Sequence, residues 1–359
     1  MRKISFLLTI LVIFPLTSAF CSAEENADKY ISEFEEIIPE GVGEEIVDGD
    51  GLQKALGLDF LLSEIINSVK KEKSEISGFL LTLLGALVML CASSFVSGEL
   101  GNSVSASVGC VVTVLMFSSI YGMISNATSA INEANDFFVA LIPIAVGVTS
   151  LGGGAFAAGV QTTGMTVTAA ALAKLWGTGL TSVSGLGLSM ALASSYGGRG
   201  TSEVSKWVKK TFSWLLGIAT AAISGTLALQ TMVASARDSA AMRAAKYAAS
   251  GMIPVVGSTV SAALSTLASG VSYVKGIVGG GSVFAIISIL ISPLIVILIY
   301  RFALSFVIML TEFFEISAAR RIFGAYLYSL DTVITTYTLS VMIYIFEIIL
   351  FVKSGVALI

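Results

Sequence analysis

The chain has 359 residues, of which 55% are hydrophobic and only 12% charged, with no histidine at all. Its mean hydropathy is +0.90, and several apolar runs approach the ~20 residues needed to cross a bilayer, so the pattern is that of a polytopic membrane protein. The missing histidine excludes Ser-His-Asp and Cys-His catalysis and disfavours a zinc site, and the net charge of -4 hides an acidic segment before a mildly basic membrane body, which argues against nucleic acid as a partner.

Met1 to Ala23 reads as a secretory signal. Arg2 and Lys3 form the charged start, 4–14 the apolar stretch, and Ala23 supplies the small residue at the cleavage site. An uncleaved first span and a lipoprotein signal at Cys21 are the alternatives. Residues 24–75 form an acidic lead with 15 acidic against 5 basic side chains. Leu56, Phe60, Leu61, Ile65 and Val69 keep helical spacing there, which suits either docking to a neighbour or a solvated approach to the first span.

The membrane body, 76–234, starts with spans expected at 76–96 and 104–124, a polar loop at 126–136 and a short span at 137–151 containing Pro143. Between 152 and 200 lie 12 of the 35 glycines, in two weak spans at 155–173 and 180–195. Small residues of this kind let membrane helices approach closely, and they also suit a substrate path. Neither a dinucleotide fingerprint nor a phosphate-binding loop is present. Arg199, Lys206, Lys209 and Lys210 form the densest basic loop, expected on the cytoplasmic side. A sixth span is expected at 212–232.

A polar island, 235–275, follows. Ser235 and Asp238 have the spacing of a capping box that would start a new helix. Asp238, Arg243 and Lys246 share one arc of that helix, and alanines cover the other. Pro254 ends it. Beyond Gly257, a stripe of Ser258, Ser261, Ser265, Ser269 and Ser272 runs on the side opposite Val256, Val260, Leu264, Leu267, Val271 and Val274. That second helix is expected to be re-entrant or surface-lying, with the serines lining water, meeting a partner or packing against another helix.

Two long apolar runs in 276–359 complete the chain, at 283–310 and 331–352. The ionisable residues in or beside spans are Lys174, Arg301, Glu312, Glu315, Asp331 and Glu347, and Arg301 with Glu347 forms a candidate intramembrane pair. The fold class expected is all-α: a transmembrane bundle of about eight spans plus one re-entrant or interfacial helix. No catalytic, cofactor or metal residues are assigned, and the chain is read as a non-enzyme.

The run Asp238, Arg243, Lys246-Tyr247 and Ile253-Pro254-Val255-Val256-Gly257, with Ser261 after it, resembles the stage III sporulation protein AE family. The alanine pair inside Arg243-Ala-Ala-Lys246 and the serine at Ser258 are mild departures from the family pattern. The resemblance implies a mother-cell membrane subunit of a trans-envelope complex that joins mother cell and forespore. Its implied partners are the other stage III A-operon proteins and the forespore Q protein, with a homo-oligomer also open. A stand-alone secondary transporter and a purely structural anchor are the competing readings.

Overall fold

The computed structural model describes residues 28–39, 58–96, 99–175, 200–252 and 257–354, with five single positions between 176 and 199. The expected signal peptide and Pro254 lie outside the described residues. Every element described is helical, as lipid demands of chains that must satisfy their backbone groups internally. The helices are α1 (28–37), α2 (Leu58–Lys71), α3 (Lys73–Ser94), α4 (Glu99–Leu151), α5 (Ala155–Lys174), α6 (Gly200–Met252), α7 (Gly257–Phe313) and α8 (Ser317–Lys353).

Five helices are long and apolar enough to cross a membrane among the described residues: Lys73–Ser94, Ser103–Leu151, Lys206–Ala244, Ser269–Phe313 and Ser317–Lys353. Where the sequence divides into more, shorter spans, three junctions are continuous helix instead. The first is 126–136, expected as a loop. Met123, Ala127, Ala130, Ile131, Ala134, Phe137 and Phe138 carry one buried stripe straight through it, while Asn126, Asn132, Glu133 and Asp136 fall on the outer face. Its polarity is that of one side of a helix, which composition alone cannot separate from a loop. Asn126, in a glycosylation-like triplet, instead donates Nδ2 to both oxygens of Glu75 at 3.0 and 3.1 Å.

The second junction is Ser235, where α6 runs on without a break, so no new helix starts there. The third is 275–283. The expected re-entrant helix leads directly into the next apolar run as α7. Within it, the bare backbone of Gly279 lets Val352 and Ile348 of α8 close in.

Two turns have the same construction. Between α4 and α5, Gly153 adopts φ +78°, Gly154 N–H donates to Thr149 O at 3.2 Å and Gly153 N–H to Ser150 O at 3.0 Å. Between α7 and α8, Glu315 adopts φ 56°, Ile316 N–H donates to Thr311 O at 2.9 Å and Glu315 N–H to Glu312 O at 3.2 Å. Both are Schellman caps, which use the left-handed residue to satisfy the last carbonyls of a helix. The first has the glycine this requires. The second forces a glutamate into it and seats Ile316 in the core.

The centre of the bundle is α8. Tyr326, Tyr337 and Tyr344 are fully buried, and each hydroxyl donates to a different site: Thr113 O on α4 at 2.5 Å, Leu290 O on α7 at 2.8 Å, and Asn135 Oδ1 on α4 at 3.2 Å. Phe79 of α3 stacks on Tyr300 of α7 with ring centroids 3.7 Å apart. Buried aromatic hydroxyls with partners fix register as well as packing, since a slip would strand each of them.

Candidate functional site

Polar side chains gather where the glycine turn meets α6, α7 and the end of α8. Asp238 is 3% exposed and points from α6 at the start of α5. Its Oδ1 accepts from Phe156 N–H at 3.2 Å and its Oδ2 from Ala157 N–H at 2.8 Å. The first amides of a helix have no partners in their own helix and carry the positive end of its dipole, so a carboxylate there is doubly favoured. Next to it, the Arg237 guanidinium lies 3.7 Å above the Phe156 ring, a cation–π contact on the same first turn.

A second group continues the cluster inward. Thr149 Oγ1 donates to Gln161 Oε1 at 2.8 Å, and Gln161 Nε2 donates to Ser354 Oγ at 3.0 Å. Lys275 donates to the backbone oxygen of Ser354 and, at 3.3 Å, to its hydroxyl. The Lys275 ammonium also lies 5.6 Å from the Phe351 ring centroid and within the field of Asp238. Two helical turns further along, Thr168 Oγ1 donates to Glu347 Oε1 at 3.1 Å. Gln161 and Thr168 are seven residues apart on α5, as are Ser354 and Glu347 on α8, so both contacts belong to one antiparallel register. Asp238, Thr149, Gln161, Thr168, Lys275, Glu347 and Ser354 are all buried. Groups so placed are costly unless paired, and here they tie α4, α5, α6, α7 and α8 together at one end of the bundle.

Of the residues singled out in the sequence, Asp238 belongs to this cluster, capping a helix 81 positions away rather than its own. Arg243 donates Nε to Ser239 O at 3.3 Å on the outer side of α6. Gly257, Ser258, Ser261 and Ser265 lie on the α7 backbone, and Ser269 and Ser272 are exposed while Val274 is buried. The side chain of Lys246 lies outside the described residues. Arg301 and Glu347 are not brought together. Arg301 Nε instead donates to Asp331 Oδ1 at 2.7 Å, because α7 and α8 form a hairpin about 314–316 and these two lie at similar distances from the turn. Glu347 is 16 residues, or about 24 Å, further along α8. Thr149, Gln161, Thr168, Lys275 and Ser354 carried no signal on their own; the triple glycine at 152–154 was the nearest pointer.

Among the described residues no group of three or more His, Cys, Asp or Glu comes together. What the clamp can do is hold helix ends in register, with Asp238 answered by the α5 dipole and Lys275 by a carbonyl and an aromatic face.

A helical bundle with five membrane-length helices and a buried polar clamp defines a membrane protein of the all-α class. The chain belongs to the stage III sporulation protein AE family, whose model matches residues 34–355, nearly its whole length. No curated protein and no solved structure matches it. It is therefore a sporulation-related membrane protein.

Proposed function

We propose that the chain is the membrane subunit of a trans-envelope, channel- or secretion-like complex joining mother cell and forespore, resident in the mother-cell membrane and non-enzymatic. Its partners are the other stage III A-operon proteins and the forespore Q protein. The observation that carries this reading is helix length. Helices of 53 and 57 residues run about 80 Å and more, against a bilayer core of about 30 Å. Much of the bundle therefore stands clear of the hydrocarbon, and the buried clamp holds its helix ends as one body. A protruding, internally braced bundle is suited to receiving other proteins. Purified protein in liposomes separates this from a self-sufficient permease: no solute flux is expected without partners, and robust flux from the chain alone would favour the permease.

A further inference from the structure

Among the described residues, Glu347 stands apart from every other charge. It is 4% exposed, and its one hydrogen-bond partner there is the Thr168 hydroxyl at 3.1 Å. No lysine or arginine nitrogen among the described residues lies within ion-pair distance of it. The charged groups of the neighbouring helices are committed or remote. Lys275 of α7 is bound to Ser354, two turns along α8, or about 10 Å. Arg237 of α6 lies on Phe156 and Asp238 is held by the α5 amides. Lys174 sits exposed at the far end of α5, about 9 Å along the axis from Thr168. Asp136 of α4 is exposed and on the Tyr344 side, Tyr344 itself donates to Asn135, Lys353 is exposed, and Asp331 is paired with Arg301.

An isolated carboxylate in such surroundings costs several kcal/mol, so something must neutralise it. A metal ion needs several oxygen ligands to replace its water, whereas only the carboxylate and one hydroxyl converge here. We propose that Glu347 is a proton-binding site, at which a single proton neutralises the carboxyl group and lets α5 seat on α8 through Thr168. The proton is the ligand; its loss leaves a bare charge between two helices and loosens their contact. Ionisable residues kept inside membrane bundles are the groups that mark proton and ion paths.

Infrared spectroscopy of the purified full-length protein in lipid nanodiscs tests this. At neutral pH the wild type should show the carbonyl band of a protonated carboxyl group that is absent from Glu347→Gln, unaffected by sodium, and shifted in Thr168→Val. The Thr168→Val shift assigns the band even if Glu347→Gln does not assemble. Spectra without that band in the wild type, or unchanged by both substitutions, would overturn the proposal. So would a band removed by sodium at constant pH, which would make the residue a metal-cation ligand.

Discussion

Asp238 caps a helix that begins 83 residues before it in the chain. Both of its oxygens accept from consecutive α5 amides, at 3.2 and 2.8 Å, from a fully buried position on α6. An ordinary capping residue precedes its helix by one position and loses little when it frays. Here the cap is a tertiary contact, so losing it leaves the Arg237–Phe156 contact to hold the first turn of α5 against α6. Asp238→Ala should lower stability by about 3 kcal/mol, the range for buried hydrogen bonds to a charged group. Asp238→Asn, which keeps one acceptor, should lose less. Thermal unfolding in detergent reads the difference, and equal melting of Asp238→Ala and wild type would remove the cap from the account.

The glycine turn beside it makes a second demand. At φ +78° Gly153 is in left-handed geometry, and a Cβ there would come within 2.6 Å of Met242 Cε. Gly153→Ala should destabilise by about 1–2 kcal/mol from backbone strain alone. Combining it with Met242→Ala should recover the steric part and leave the conformational part. Full recovery in the double variant would show that strain at this residue is negligible.

The opposite substitution belongs at the other Schellman cap. Glu315 occupies the left-handed position at φ 56° with its side chain exposed. Glu315→Gly should raise stability by about 1 kcal/mol, because glycine relieves the strain at modest entropic cost. A lower melting temperature would mean the side chain has a partner that matters more than its backbone.

The partner of Arg301 separates the observed hairpin from the pairing expected in the sequence. A double-mutant cycle between Arg301 and Asp331 should give a coupling of about 1 kcal/mol, since the pair is partly open to its surroundings. The same cycle between Arg301 and Glu347 should be additive within about 0.5 kcal/mol. Coupling between Arg301 and Glu347 instead would contradict the α7–α8 register.

The helical class and the apolar segments were legible in the sequence, which singled out Asp238 without placing it. Periodicity could not give the continuity of α4 through 126–136, because Asn126, Glu133 and Asp136 make one face of a helix look like a loop. Ser235 and Asp238 fit a capping box, but that pattern holds for any serine three residues before an acid; only the fold shows the carboxylate turned to α5. The Arg301–Glu347 expectation came from charge complementarity without register. Register depends on where the 314–316 turn falls, and that turn is marked by a glutamate where a glycine would have been a signal. Gln161, Lys275 and Ser354 lie on three separate helices, so their meeting is purely tertiary.

The central claim is that this chain works as one membrane subunit of a larger assembly. The most direct measurement is affinity purification of the full-length, tagged chain from sporulating cells after mild detergent extraction, with co-purifying proteins identified by mass spectrometry. The account predicts that the wild type brings down the other stage III A-operon proteins and that Asp238→Ala, which loosens the clamp, brings down several-fold less at equal expression. A wild-type chain recovered without any of them, while still supporting spore formation, would contradict it.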